Sequence, residues 1–363
     1  MSFKIRIIDR YIVRKFLGTF FFALGLIILI AIVFDISEKI DDFIERDAPL
    51  KAIVFDYYLN FIPYFGNLFS PLFIFIAVIY FTSRMAANTE IIAILGSGVS
   101  FRRMLMPYMA AAGFLACLSL YLNNFVIPHS NKERLAFEAQ YIKNPYVFSG
   151  RHVHRQITPG QFIYFESYNN QDRIGYQFSF EKFENGELKF KLLCERILWD
   201  SVQNKWSVEN YFIRKIEGMH EEVRTGYKLD TTFAFDPAEF SRRENYIETM
   251  DISTLNRFIA QERIRGSEEM PFYLVEKHRR TAFPFATFIL TLIGASLSSK
   301  KIRGGIGMQI GLGILISFTY IMFMQISTTF ATKGNMPPLI AVWIPNIVFS
   351  FVAMYYLRKA TRG

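Results

Sequence analysis

The sequence contains very little cysteine, with two cysteines among its 363 residues. Cys117 lies in a strongly apolar stretch and Cys194 lies in a polar one, so no disulfide bond between them is expected. The sequence also lacks a phosphate-binding G-x-x-x-x-G-K-S/T motif and a G-x-S-x-G nucleophile motif. His152 and His154 have no further metal ligand at a diagnostic spacing. We therefore predict a protein that is not an enzyme, with no catalytic residues, no cofactor and no metal site.

Charge is missing from six long stretches of the chain. Hydrophobic residues make up 52% of the sequence, and the six runs contain no Asp, Glu, Lys or Arg. A helix needs about 20 apolar residues to cross a bilayer core, and a soluble helix of that length would show a polar face. The runs are Phe16–Phe34, Tyr57–Ser83, Met104–Asn131, Thr281–Ser299, Gly304–Thr332 and Gly334–Leu357. They predict an α-helical membrane protein with six transmembrane helices, three before and three after a polar insert.

Positive charge is concentrated in alternate loops. The segments 1–15, 84–103, 300–303 and 358–363 together hold 14 bases and 2 acids, whereas 35–56 holds 7 acids and 3 bases. Cytoplasmic loops carry the excess of Lys and Arg in membrane proteins, so both termini are predicted to be cytoplasmic. The net charge of +9 is therefore an orientation signal, and no nucleic-acid partner is expected.

The polar insert between the third and fourth runs has the size of a domain. We predict a transmembrane half at 1–131, an antiparallel β jelly-roll-like or sandwich domain on the outer side of the membrane at 132–270, and a second transmembrane half at 271–363. Alternation and turn residues predict β-stretches at Val147–Ile157, Gln161–Tyr168, Gly175–Phe183, Leu188–Trp199, Lys205–Ile216 and Glu222–Phe235. Short helices are expected at Asn131–Lys143, from an N-cap at Asp251 to about Arg265, and from Met270.

A short amphipathic helix is predicted at about 86–98, between the second and third runs. Thr89 can cap it, Glu90 suits the dipole at its N-terminus, and Gly96 and Gly98 can end it. Its apolar residues are Ile91, Ile92, Ile94 and Leu95. Two interpretations are open: a helix lying in the lipid interface, or a coupling helix docked in a groove of a cytoplasmic ATPase, with Glu90 meeting a base.

The apolar runs contain no ionisable residue except the terminal His129. Ion-coupled carriers place carboxylates or broken helices near the bilayer midplane, so a secondary transporter is disfavoured. The Gly-rich start of the fifth run, with Gly307-x-x-x-Gly311, is interpreted as a helix-packing face.

Four stretches make the chain similar to a known family, the lipopolysaccharide export permeases LptF and LptG (the YjgP/YjgQ family). The stretches are Ile8–Ile12, Asn88–Gly98, Lys300–Gly305 and Gly334–Pro338. The order of three helices, a β-module and three helices also resembles this family over nearly the whole chain. The Asp9-Arg10-Tyr11 start and the Pro337-Pro338 pair are more like LptG than LptF.

The resemblance implies a function and a set of partners. It implies a permease subunit of an ABC-type exporter in the inner membrane of a Gram-negative bacterium, which passes lipopolysaccharide from the outer leaflet to a periplasmic jelly-roll bridge. The implied partners are a paralogous LptF-like permease as heterodimer partner, a dimer of the cytoplasmic ATPase LptB, an LptC-like bitopic protein and the bridge protein LptA.

The resemblance also implies three groups of site residues. Coupling to the ATPase is expected at Glu90, Ile91, Ile92, Leu95, Gly96, Gly98, Arg102 and Arg103. Candidates for lining a lipid cavity are Phe20, Phe21, Lys39, Tyr64, Phe65, Phe69, Phe318 and Tyr320. Tyr176, Phe178 and Phe180, which alternate along one β-stretch, are candidates for a periplasmic lipid groove.

One stretch departs from the family pattern. Family members often carry bases at the outer end of the first helix, where they face the phosphates of the cargo, but here Lys39 is the only base among the acids of 35–42. The partner permease could supply the cations, divalent ions could bridge, or the cargo could carry fewer phosphates. An alternative function is a membrane-anchored lipid-binding or scaffold protein without transport activity.

Overall fold

The molecule consists of a helical unit and a β unit. The computed structural model describes residues 6–142, 151–240, 244–267, 269–300 and 305–362. The helical unit comprises Met1–Ile142, Glu248–Ile252 and Pro271–Gly363, and the β unit comprises Lys143–Ile247 and Ser253–Met270. The predicted turn at Lys300–Gly305 lies largely outside the described residues, as does the start of the β-stretch predicted from Val147.

Six helices are long and apolar enough to cross a membrane, as the charge-free runs predict. They are α1 (Ile7–Glu45), α2 (Leu50–Ala87), α4 (Phe101–Tyr141), α6 (Met270–Ser298), α7 (Gly305–Lys333) and α8 (Pro338–Thr361). Two shorter helices are α3 (Glu90–Gly96) and α5 (Ile252–Ile264). The separate helix predicted from Asn131 is instead the end of α4, which continues through a π-helical turn at Leu122–Val126.

Close packing in the helical unit depends on two glycines that face α2. A Cβ at Gly294 of α6 would lie 3.0 Å from Val78 Cγ1, and a Cβ at Gly313 of α7 would overlap Ile79 Cδ1. The packing face predicted at Gly307 and Gly311 is not used among the described residues of this chain, because a Cβ at either position would meet nothing within 4 Å.

A serine side chain of α7 replaces a backbone hydrogen bond that is missing in α8. Pro345 lies inside α8 and has no N–H, so the carbonyl of Ala341, four residues earlier, loses its usual partner. Ser327 of α7 donates its hydroxyl hydrogen to this oxygen. An unsatisfied backbone group in a bilayer costs several kcal/mol, so this bond both tolerates the proline and joins α7 to α8.

The β unit contains one open antiparallel sheet whose six strands lie in sequence order. The strands are β1 (Arg151–Thr158), β2 (Gln161–Asn169), β3 (Ile174–Glu184), β4 (Glu187–Asp200), β5 (Lys205–Glu217) and β6 (His220–Thr231). The inserted antiparallel β-domain predicted from the sequence is therefore confirmed. The last predicted stretch reaches too far, because the strand ends at Thr231 and Phe233 and Phe235 pack against the sheet instead.

The side-chain alternation of the sheet reverses along one line, which we call the crease. Two rows of buried residues run beside it: Phe178, Cys194 and Tyr211 in one row, and Gly175, Ile197 and Val208 in the other. In each strand these buried residues are three positions apart, so the two residues between them both face away from the core. Gln177 and Asn210 lie there with left-handed φ values of 49° and 51°. The strict alternation predicted through Gln177 is therefore wrong.

Aromatic side chains fill the packed face of the sheet. Phe233 contacts Phe178 and Phe180, with ring centroids 5.4 Å and 5.1 Å apart. Phe235 packs against Trp206, whose indole N–H donates to the Phe235 carbonyl at 3.3 Å. The segment after β6 thus closes the core of the β unit with its own side chains.

Candidate coupling helix and lipid-handling surfaces

Helix α3 lies between two membrane-length helices and has defined ends. The helix ends at Gly96, and Gly98 has a φ of +86°, a conformation that glycine adopts without strain. This agrees with the predicted glycine stop. Thr89 does precede the helix, but its φ is 59° and its hydroxyl donates to the Asn88 carbonyl, so the predicted side-chain cap is absent.

The apolar residues of α3 divide between two directions. Ile91 and Ile94 are buried in a core formed with α1 and α4. Ile92 is 65% exposed and Leu95 is 38% exposed. Gly96, Gly98 and Arg102 are exposed beside them. One face of the helix therefore anchors it to the bundle, while Ile92 and Leu95 form an unpaired apolar surface, which we call the docking face.

Two of the three charged residues predicted for coupling make contacts to α1. Glu90 accepts a hydrogen bond from the Tyr11 hydroxyl at 3.0 Å and one from Asn88 Nδ2 at 3.3 Å. Arg103 donates two hydrogen bonds to the carboxylate of Asp9, at 2.7 Å and 2.6 Å. The predicted coupling set thus includes two residues that are held by the first helix.

Among the described residues, α1 and α7 are the least buried of the six membrane-length helices. The most hydrophobic stretch of α1 is 17% buried and that of α7 is 22% buried, against 33% or more in the other four spans. Of the predicted cavity residues, Phe21 and Phe318 are on these exposed faces. Phe20 and Tyr320 instead lie in the packed interior of the chain.

The aromatic residues predicted for the cavity on α2 form a stack with a cation beside it. Phe65 lies between Tyr64 and Phe69, with ring centroids 5.2 Å and 6.3 Å away. The guanidinium of Arg134 lies 4.8 Å from the Tyr64 ring centroid and 5.9 Å from that of Phe65. The structure therefore brings Tyr64, Phe65 and Phe69 together, next to a base that lies beyond the charge-free runs.

Lys39 is held by groups of its own chain. Its ammonium donates to Asp35 Oδ1 at 2.5 Å and to the hydroxyl of Tyr57, while Tyr58 donates to the other Asp35 oxygen at 3.1 Å. Its charge is thus balanced within the chain. The only base of this stretch therefore makes its contacts inside the helical unit.

A buried polar cluster in the helical unit was not among the predicted site residues. Glu276 pairs with Arg279 at 2.6 Å and with Arg280 at 2.9 Å, and Glu248 lines the same cavity of about 60 Å³. Burial raises the pKa of Glu248, and the nearby charge of Glu276 raises it further. Because these residues lie just outside the charge-free runs, only the three- and four-residue spacings in Glu276–Arg280 indicate pairing on one helix.

The three predicted groove residues of the β unit do not share one face. Phe178 is 1% exposed and packs in the core with Phe180, whereas Tyr176 is 41% exposed. The crease separates them, because Gln177 reverses the alternation. On the opposite face, Tyr164, Leu193 and other residues line an open groove of about 830 Å³.

Comparison with known proteins places nearly the whole chain in one family. A family model described as the lipopolysaccharide export system permease LptF/LptG matches residues 10–359. No curated protein matches this chain at a significant level. The match covers all six spans and the inserted β unit, which is the architecture that the structure shows. This multi-pass inner-membrane protein therefore belongs to the LptF/LptG family of lipopolysaccharide export permeases.

Proposed function

We propose that this chain is the LptG-like member of a permease pair in an ABC-type exporter, and that a separate ATPase docks on α3. The docking face carries this proposal. Ile92 and Leu95 are exposed on a helix whose other face is packed in the bundle. A partner that binds these two residues can therefore move the bundle when it moves the helix. This supports the coupling interpretation over a helix lying passively in the lipid interface, because Gly96, Gly98 and Arg102 are exposed at the same end.

The second permease covers the exposed faces of α1 and α7. Phe21 is 47% exposed and Phe318 is 52% exposed, and both belong to apolar surfaces that nothing in the described chain covers. Lipopolysaccharide enters from the outer leaflet into a cavity bounded by these faces. The Tyr64, Phe65 and Phe69 stack contributes a further apolar wall. Phosphates of the cargo are met by bases from the partner permease or by bridging divalent ions, since Lys39 is engaged by Asp35.

The β unit passes the acyl chains onward. In this proposal both chain termini are cytoplasmic and the sheet is periplasmic. The packed face, with Phe178 and Phe180, has the apolar lining that acyl chains need, and the segment with Phe233 and Phe235 yields to admit them. LptC-like and LptA-like jelly-roll proteins continue the path.

The ATPase docking is tested by copurification from detergent. Ile92→Asp and Leu95→Asp place a charge on the docking face without touching the buried Ile91, so we expect the recovery of ATPase with the permease to fall at least about tenfold. Ile264→Asp is the matched control, because Ile264 is an exposed isoleucine of the β unit. Unchanged recovery of the ATPase with both docking-face variants would refute the proposed contact.

The same preparation separates transport from the alternative scaffold function. A transport subunit copurifies with a second permease and a soluble ATPase, and its depletion traps lipopolysaccharide at the inner membrane. A scaffold protein copurifies with neither, and its depletion leaves lipopolysaccharide export unchanged.

A further inference from the structure

Helix α1 is not adjacent in sequence to α3 or to α4, yet one side-chain bridge joins it to α3 and another joins it to the start of α4. Helix α3 follows α2 and precedes α4 in the chain, so α2 and α4 must respond to its movement. Helix α1 is connected to this segment by the Tyr11–Glu90 hydrogen bond and the Asp9–Arg103 ion pair, which span 79 and 94 residues of sequence. Apolar contacts of Ile91 with the core that includes Ile12 complete the contact.

The ion pair connects two rigid helix starts. Asp9 is the third residue of α1, and its carboxylate also accepts from the Arg6 backbone N–H at 3.0 Å. Arg103 is the third residue of α4, and its own backbone N–H donates to the Ser100 hydroxyl at 3.3 Å. Both side chains are therefore fixed to capped first turns. Because the bridge is bidentate, its geometry is restricted, and a movement of one helix start displaces the other.

Arg103 lies at an electrostatically unfavourable position in its helix, and the pair with Asp9 compensates for it. The N-terminus of a helix carries positive partial charge, so a base in the first turn of α4 is placed unfavourably. Asp9 offsets this charge, and the two side chains are only 14% and 26% exposed, which limits screening by water. In contrast, exposed surface pairs contribute little.

We propose that Asp9 and Tyr11 are positioning residues that make α1 move with α3 and with the adjoining start of α4. This inference rests on the proposed docking of an ATPase at Ile92 and Leu95. When the ATPase closes and shifts α3, the two bridges pull the start of α1, and α1 is, among the described residues, the least buried of the six membrane-length helices. The contact between α1 and the second permease, and with it the lipid cavity, then changes in step with ATP hydrolysis.

The test uses the complete exporter reconstituted in liposomes, with lipopolysaccharide released per ATP hydrolysed as the readout. Asp9→Arg and Arg103→Asp each place like charges together, so we expect the ratio to fall roughly fivefold or more, within the usual range of coupling free energies. The double variant Asp9→Arg/Arg103→Asp restores opposite charges and should recover most of the ratio. Tyr11→Phe removes only the bond to Glu90 and should lower the ratio without charge reversal.

Two matched controls separate this role from general effects on folding. The exposed Arg214–Glu221 pair of the β unit is reversed in the same way, and Tyr80→Phe removes the hydroxyl of an exposed tyrosine of α2. Neither control should change the ratio. If a charge-reversed single variant does not fold, Asp9→Asn and Tyr11→Phe replace it, because they remove the bridges without repulsion.

The outcomes distinguish the inference from the proposed function on which it rests. Variants of Asp9 that still copurify with the ATPase but release less lipopolysaccharide per ATP support the inference. The inference is overturned if the single variants keep the wild-type ratio of lipopolysaccharide released per ATP. It is also overturned if the double variant has a ratio as low as the single variants, or if the single variants no longer copurify with the ATPase. Failure of the unaltered chain to copurify with any ATPase instead removes the proposed function.

Discussion

Tyr320 donates its hydroxyl hydrogen to Asn346 Oδ1 at 2.9 Å in the interior of the helical unit. Asn346 in turn donates through Nδ2 to the carbonyl of Ala282 at 2.9 Å. These two bonds join α7, α8 and α6 through side chains that are all buried. Because lipid offers no replacement partner, polar side chains between membrane helices hold the helices together.

Replacing Asn346 by leucine should loosen all three helices. The variant keeps the side-chain volume but leaves the Tyr320 hydroxyl without its acceptor, and we expect a loss of about 1–2 kcal/mol in the free energy of unfolding. Denaturant unfolding of the purified chain in detergent measures the loss. Asn60→Leu is the control, because Asn60 is half-buried and its side chain donates to carbonyls near it in its own helix. Equal stability of Asn346→Leu and the wild type would contradict the expectation.

Replacing Ser327 by alanine should be costly because of Pro345. The variant removes the Ser327 donor from the Ala341 carbonyl, and Pro345 has already removed the usual helical donor of this oxygen. We expect about 1–3 kcal/mol of destabilisation, the usual result of leaving a buried acceptor unsatisfied. Ser350→Ala is matched to it, because Ser350 donates within its own helix to the Asn346 carbonyl. The prediction fails if the two variants melt at the same temperature.

The stability of the helical unit should depend on pH through Glu248. Burial and the charge of Glu276 raise the pKa of Glu248 above its ordinary value of 4.5, although Arg279, Arg134 and Arg280 act in the opposite direction. The folded state therefore binds this proton more tightly than the unfolded state. Stability from this group is fully present below the ordinary value and is lost as pH rises through the raised pKa.

Glu248→Gln should remove this part of the pH dependence. Thermal unfolding in detergent between about pH 4 and pH 8 should give a flatter profile than that of the wild type. Glu221→Gln is an informative control, because the ion pair with Arg214 lowers the pKa of Glu221 and its effect has the opposite sign. Parallel profiles for Glu248→Gln and the wild type would rule out Glu248 as the titrating group.

Neither cysteine of the native protein should react rapidly with a maleimide in detergent. Burial raises the pKa of the Cys194 thiol to about 12, and this side chain is 5% exposed. Cys117 is exposed on α4, but it lies within a membrane-spanning helix, where lipid or detergent surrounds it and disfavours the reactive thiolate. Native protein should therefore label slowly, and denatured protein should take up two labels per chain. Mass spectrometry counts the labels. Rapid labelling of native Cys117→Ser protein would show that Cys194 is accessible.

The number of membrane helices could be predicted from the sequence, but their ends could not. Placing a charged side chain in lipid is costly, so membrane-spanning segments lack charged residues, and six charge-free runs predict six helices. The helices continue past the runs, because charged residues are tolerated outside the bilayer core when they are paired. Arg134 with Glu138 at the end of α4, and Glu276 with Arg280 near the start of α6, are such pairs.

Helix α3 was predicted from the sequence, but its contacts depend on residues far away in the chain. Local pattern identifies the helix and its glycine end, since these depend on neighbouring residues. It cannot tell that Ile91 faces the core and Ile92 faces outward, because adjacent isoleucines look alike in a sequence. Helix packing likewise determines that Glu90 contacts Tyr11 and that Arg103 contacts Asp9.

The crease changes how any chemical scan of the sheet must be interpreted. On either side of Gln177 and Asn210, odd and even positions exchange faces, so the sheet behaves as two panels in opposite phase. A photo-reactive residue moved along β3 in steps of two would sample the core at Phe178 and solvent at Tyr176. A lipid following one continuous surface would therefore mark even positions in one panel and odd positions in the other.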